Sequence, residues 1–241
     1  MTTVSYAGKE LALFAKARNW KAYVASLIKP HIQGSVLEVG AGIGTNFRLL
    51  RPGHNGRWLS IEPDTSCYRT LCIAMETKGS DFSALNCTIA DVDDDRVFDT
   101  VLYLDVLEHI EDDRGELRCA AHHLRSGGKL VVLAPAIPRL YSEFDRAIGH
   151  FRRYNRSSLL SIVPAEFAIV KNQYIDVVGM AANLLNRLML WQQQPTAAQI
   201  RLWDRVMVPA SRLLDAVLLH CAGKSILLVA QKRMEGHGEL G

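Results

Sequence analysis

A chain of 241 residues, 49% of them hydrophobic, can bury the core of one sizeable α/β domain without disulfide staples. Lys and Arg total 28 against 25 Asp and Glu, a formal charge of only +3 with no basic tail, which argues against a nucleic-acid partner. The five cysteines form no C-x-x-C pair or zinc spacing and suggest a reducing, cytoplasmic setting, and no signal peptide or spanning run of roughly 18 apolar residues is visible.

Residues 9–28 place Leu11, Phe14, Ala15, Trp20, Val24 and Leu27 at spacings of mostly three and four, an amphipathic helix or a pair of them, stopped by Pro30 and Gly34. Residues 36–45, VLEVGAGIGT, then join an apolar run suited to a buried parallel strand to glycines at 40, 42 and 44. Glycine accepts the positive φ of a tight strand-to-helix turn and lets backbone N–H groups approach a ligand. The dinucleotide fingerprint is G-x-G-x-x-G, whereas here Gly44 comes one position early and Thr45 stands where glycine or alanine is wanted. Glu38, two residues before the turn, would repel a pyrophosphate but suits a ligand carrying ammonium and sulfonium charge.

This acid-x-G-x-G-x-G stretch resembles the first motif of the class I S-adenosylmethionine-dependent methyltransferases. The resemblance implies an α/β, Rossmann-like fold, a seven-stranded mostly parallel sheet with helices on both faces, here with extra C-terminal helices. It implies S-adenosyl-L-methionine as cofactor, held by Glu38, Gly40, Ala41, Gly42 and Gly44. In that family an N-terminal helix often closes over the cofactor, which would put Trp20 and Tyr23 in its aromatic part, with Tyr23 toward the substrate; plain packing on the sheet is the alternative.

Residues 57–61 read as a second strand ending at Glu62 and Pro63. An acid roughly 20 residues beyond the glycine turn is placed to accept ribose hydroxyls, a device NAD-binding domains share. A helix over 65–77 leads through Gly79 to a third strand at 86–90, and the resemblance makes Asp91, with Val92 beside it, the adenine end of the site. Asp93, Asp94 and Asp95 read as solvated loop charges. Residues 101–104 form a buried strand with Asp105 at its carboxyl end and Glu108 and His109 in the following turn. This region resembles the family's fourth motif, which implies that Asp105 contacts cofactor and that His109 orients the nucleophile or takes its proton, a turn-capping role being the alternative. No metal is expected, because a sulfonium leaving group needs none.

A helix over 114–124, a turn at 126–128 and a fifth strand at 129–134 keep the βα alternation, and LRSGGKLVV resembles the family's fifth strand. Residues 136–160 then crowd Tyr141, Asp145, His150, Arg152, Arg153, Tyr154 and Arg156 at the same sheet edge. Adjacent guanidinium groups beside a histidine can grip a phosphate, carboxylate or sulfonate. Tyr141, Arg152, Arg153 and Tyr154 are therefore expected at the substrate, with His150 as a second catalytic candidate; pairing of Arg153 and Arg156 with Asp145 or Glu143 is the competing reading. The G-H-x-R-R-Y pattern resembles a bacterial subgroup called methyltransferase type 11 or 12, which names a reaction and no acceptor.

A sixth strand at 167–174 and an antiparallel seventh at 225–231, closing the sheet, complete the pattern. Between them 177–191 and 209–221 are apolar amphipathic helices joined by a linker at 192–195, open to three roles: a lid, a homodimer face, or shallow contact with a membrane carrying a lipid substrate. The tail after Arg233 reads as disordered. One domain over 1–241 is expected, with a cap (1–33), a cofactor core (34–135), a substrate-side insertion (136–224) and a last strand and tail (225–241). Its expected reaction is methyl transfer to a small-molecule or lipid-linked acceptor, an anionic one if the arginines bind it. An NAD-dependent oxidoreductase and a weakly catalytic binding protein of the same fold are the alternatives.

Overall fold

The computed structural model describes residues 17–51, 53–75, 81–189 and 196–234. Five parallel strands, β1 (Val36–Val39), β2 (Trp58–Ile61), β3 (Phe82–Leu85), β4 (Phe98–Leu104) and β5 (Leu124–Pro135), are joined by β6 (Phe167–Ile175) and β7 (Ser225–Lys232) in the order β3-β2-β1-β4-β5-β7-β6. β7 is antiparallel as expected, but it is inserted between β5 and β6 and leaves β6 at the edge.

The strand sequences explain the layering. Side chains alternate across a strand, so Leu37, Val39, Val101, Tyr103 and Val132 fill one core while Val36, Leu102 and Val131 fill the other. The first core is covered by α4 (Asp113–His122) and α6 (Arg156–Ile162), through Leu117, Ala120, Leu159 and Ile162. The second takes Tyr23 and Ile28 of α1 (Arg18–Ile28), Phe47 and Leu50 of α2 (Thr45–Leu50) and Leu71 of α3 (Thr65–Met75). The short α5 (Glu143–Ala147) follows β5. Beyond β6 come α7 (Val177–Met189), α8 (Ala197–Leu202) and, through a π-helical stretch at Trp203–Met207, α9 (Val208–Val217).

Two elements differ from the sequence reading. The third strand lies at Phe82–Leu85, earlier than 86–90, because Thr88 and Asp91 form a capping box that commits Ile89–Asp91 to a 3₁₀ turn. The glycine turn at 126–128 is absorbed into β5, whose pairing with β4 jumps from Phe98–Leu124 to Thr100–Lys129. The expected helix over 9–16, the end of the helix at 76–77, the linker at 192–195 and the tail beyond 234 lie outside the described residues.

Candidate active site

Because β1 to β5 are parallel and β7 is not, the carboxyl ends of the former and the amino end of β7 share one edge of the sheet. The glycine turn opens that edge. Gly40, Gly42 and Gly44 all have positive φ, and Gly44 in the left-handed region is the N-cap of α2. A Cβ on Gly40 would fall 2.7 Å from both methyl carbons of Val106, so close packing as well as dihedral freedom demands glycine there. Ala41 is buried, and its N–H donates to the Ile61 carbonyl at 3.0 Å.

Glu62 is bound to the turn itself. Its Oε2 accepts from the Gly42 N–H at 2.7 Å and its Oε1 from the Asp64 N–H at 2.9 Å, while burial pushes its carboxyl upward. Glu38 is almost fully buried, and Oε2 accepts from Trp58 Nε1 at 3.1 Å and from the Ser60 hydroxyl at 3.0 Å. Burial pushes it up to about 7 against these bonds and a weaker contribution from the Asn46 side chain. Its Oε1 has no hydrogen-bond partner, and an unsatisfied buried carboxylate oxygen beside a glycine turn suits a ligand with positive charge.

The residues expected at the adenine end follow β3. Asn86 and Cys87 follow β3, and Asn86 Nδ2 donates to the carbonyls of Glu62 and Pro63 at 2.7 and 3.0 Å. Asp91 is exposed and turned back on its own turn, accepting from the Thr88 N–H at 3.0 Å and hydroxyl at 2.7 Å. Val92 is buried in the core.

Asp105 ends β4 with φ of 56°, a conformation that costs a non-glycine residue about 1–2 kcal/mol. Asp105 and His109 lie deep among protein atoms yet keep open surface, so they line a crevice rather than the core. Burial raises Asp105 to about 6, with His150 and Lys224 opposing, and burial together with His150 lowers His109 to about 4, leaving a neutral imidazole. The His109 and His150 rings meet edge to face with centroids 4.6 Å apart. Glu108 is 1% exposed and is pushed well above the usual carboxylate range by burial and by Asp105. His150 Nε2 stands 3.8 Å from Glu108 Oε1, and its Nδ1 stands 3.0 Å from Asp145 Oδ1.

Asp145 organises the loop after β5. It is fully buried and also accepts from Arg153 Nε at 2.8 Å and from the Ser142 N–H and hydroxyl at 2.8 Å. Burial alone would raise it, but the bonds from His150, Arg153 and Ser142 hold it well below the carboxylate range. Arg153 reaches the Ala136 carbonyl as well. Arg152 pairs with Asp113 at 2.6 Å and donates to the Glu111 carbonyl at 2.7 Å, and the buried Tyr154 hydroxyl donates to Asp113 Oδ2 at 2.8 Å. Tyr141 donates to the His150 carbonyl at 2.7 Å. Tyr23 donates to Asp215 at 2.8 Å on the far side of α1. All five residues expected at the substrate thus have partners within the protein, Arg152 in a partly exposed pair, and Arg153 pairs with Asp145 as the competing reading had it.

Lys224 was not marked by any motif. The Ala136 N–H donates to its carbonyl at 2.8 Å, which sets it at the start of β7 beside the end of β5. Its ammonium sits 4.1 Å from the centroid of the Trp203 ring, and burial lowers its pKa while Asp176 and Asp105 oppose. Asp176, buried at φ 68° after β6, accepts from Trp203 Nε1 at 2.8 Å and from the Ser211 hydroxyl at 2.7 Å. A depression of about 300 Å³ lined by Arg57, Asp81, Asp95 and Arg125 opens at the opposite, amino edge and contains none of these groups.

The family model for a methyltransferase domain matches residues 11–166, more than half of the chain. The chain belongs to this methyltransferase family. It is an enzyme of the S-adenosylmethionine-dependent class, and the glycine turn, the free oxygen of Glu38 and the acid at the end of β2 fit that donor. Solved structures agree in fold. The methyltransferase is similar to a putative methyltransferase of Haloferax volcanii in complex with the Trm112 activator (17% identity, TM-score 0.65, 95% of this chain and 96% of that one). It is also similar to the N-methyltransferase NodS of Bradyrhizobium japonicum (16%, 0.57, 91% and 97%) and to coclaurine N-methyltransferase bound to N-methylheliamine and S-adenosylhomocysteine (13%, 0.61, 88% and 72%). No functionally curated protein matches the sequence.

Proposed function

We propose that this methyltransferase acts on a lipid-linked or otherwise apolar acceptor, whose nucleophilic oxygen or nitrogen enters the crevice of Asp105, Glu108, His109 and His150. S-adenosylmethionine supplies the electrophilic methyl group. On the protein side, Gly40, Gly42, Glu38 and Glu62 hold the donor, and His109 and His150 receive the polar end of the acceptor and assist departure of its proton. The rest of the acceleration comes from orientation and from exclusion of water. A crevice lined by two carboxyl groups, with Arg152 and Arg153 engaged elsewhere, favours a hydroxyl or amine over an anion.

The observation that carries the lipid reading is the outer face of α8, the π-helical stretch and α9. Leu202, Val206, Leu213, Val217, Leu218 and Leu219 are exposed there, with Arg201, Arg205 and Arg212 exposed among them. Both acidic residues of 196–221, Asp204 and Asp215, are buried and bonded inward, to the Trp20 N–H and to Tyr23. An apolar face with only cationic charge suits the surface of an anionic membrane. No described helix is long and apolar enough to cross a membrane.

Incubating the methyltransferase with S-adenosylmethionine labelled in its methyl group, and with a cell extract divided into lipid and aqueous fractions, tests this. Label is expected in the lipid fraction and is expected to vanish with His109→Gln while donor binding persists. Label confined to the aqueous fraction would replace the lipid-linked acceptor by a soluble one. No transfer to either fraction, from protein that still binds the donor, would overturn the acceptor reading.

A further inference from the structure

We propose that Glu108, His109 and His150 form a binding site for one divalent transition-metal ion at the floor of the acceptor crevice. One carboxylate oxygen and one ring nitrogen from each histidine all lie within 4.8 Å of one another. Around an ion with bonds of about 2.1 Å, ligand atoms stand about 3–4 Å apart, so a small inward rotation of the side chains completes the set.

Three features of the cluster point to a ligand rather than to a finished hydrogen-bond network. Glu108 is 1% exposed, and its Oε2 has no partner, an unsatisfied buried polar atom that a bound ion would satisfy. The His150 Nε2 to Glu108 Oε1 distance of 3.8 Å is too long for a hydrogen bond between them. The other nitrogen of His150 is fixed by Asp145 at 3.0 Å, and Arg153 and Ser142 fix Asp145 in turn. A carboxylate holding one ring nitrogen so that the other presents its lone pair is how metal-binding histidines are oriented. The pair of imidazoles suits manganese, iron, cobalt or zinc better than magnesium or calcium.

His109 is exposed where Glu108 is not, so the remaining coordination positions face the crevice. What fills them, an oxygen of the methyl acceptor, rests on the acceptor reading above; the ion site itself does not. In this arrangement His109 and His150 would act as ligands in place of proton acceptors, and the ion would lower the pKa of an acceptor hydroxyl enough for its proton to pass to water in the crevice.

Untagged, chelator-treated protein titrated with Co²⁺, followed by visible absorption and by calorimetry, tests the site. One equivalent per chain is expected, with nitrogen-ligand absorption bands. Glu108→Gln and His109→Gln should each weaken binding by about tenfold or more, and Asp145→Asn should weaken it by a smaller factor. Asp91→Asn, distant from the cluster in role, should leave it unchanged. If Glu108→Gln fails to fold, the exposed His109→Gln decides. Folded protein that binds S-adenosylmethionine but takes up no Co²⁺, Mn²⁺ or Zn²⁺ at millimolar concentration would overturn the site and leave the methyltransferase assignment standing. So would binding indifferent to His109→Gln. Tight cobalt binding without label transfer to any acceptor would instead leave the ion site standing and remove the acceptor reading.

Discussion

The two halves of the carboxyl edge are built from the same residue types by opposite means. In the donor half, Glu62 holds backbone: it takes the N–H groups of Gly42 and Asp64, and the whole arrangement spans two neighbouring strands. In the acceptor half, carboxylates hold side chains of the loop: Asp145 holds His150 and Arg153, and Asp113 holds Arg152. The first depends on where the chain bends, the second on which partners survive. A substitution that alters backbone freedom should therefore damage donor binding, whereas one that strands a charge should damage the fold.

The largest effect should come from stranding a charge. Asp145→Ala leaves Arg153 and His150 without their shared carboxylate, and removal of one partner from a buried pair costs about 3–5 kcal/mol. Urea denaturation should show that loss, while the fraction still folded binds S-adenosylmethionine with unchanged affinity; a parallel loss of donor affinity would mean that the two halves are coupled.

Gly40→Ala attacks the other half. The left-handed conformation and the 2.7 Å approach to Val106 together should cost about 2–4 kcal/mol, with donor binding weakened at temperatures where the fold persists. Calorimetric titration and thermal unfolding of the same sample would separate the two effects.

Glu38 gives a pH signature. Its folded-state value of about 7 lies above the ordinary glutamate value of 4.5, so the folded chain binds this proton more tightly than the unfolded one. The resulting stability is fully present below pH 4.5 and is lost as pH rises to about 7, by on the order of 1–3 kcal/mol. Glu38→Gln should flatten that slope in unfolding free energies between pH 5 and 8. An unchanged slope would assign it to other groups.

The smallest effect should be Arg152→Ala. Its pair with Asp113 is partly exposed, so about 1 kcal/mol or less is expected, with the acceptor KM unaltered because the guanidinium is already occupied by Asp113 and Glu111. A raised KM would return this arginine to the substrate.

The same contrast decides what could be read in advance. The donor half was legible because its elements are local: three alternate glycines, an acid two residues before them and another at the next strand end lie within 25 residues, 38 to 62. The acceptor half was legible as a crowd of polar residues and not as a set of contacts. The pairing of Arg153 with Asp145 was one of two readings open in the sequence, whereas nothing in G-H-x-R-R-Y says that Tyr154 reaches Asp113, which arrives from the start of α4, 41 residues away. Lys224 was invisible for the same reason: only the insertion of β7 beside β5 brings it to the edge, far in sequence from Asp105. The third strand was misplaced by a different route, the local bond of Asp91 to Thr88 competing successfully with strand extension.

Three non-glycine residues at this edge share the left-handed region: Asp105 after β4, Ile137 after β5 and Asp176 after β6. For protein engineering this marks a boundary. Replacing Ile137, the branched member, by glycine or asparagine should relieve local strain and raise the melting temperature, the kind of gain a stability screen rewards. The same screen applied to Asp105 would select against the crevice, since its carboxyl group faces His150 and Lys224, whereas Asp176, which accepts from Trp203, Ser211 and the Gly179 N–H, would be retained for stability. A variant library of this enzyme sorted on thermostability alone should therefore accumulate inactive members at position 105 and active ones at position 137.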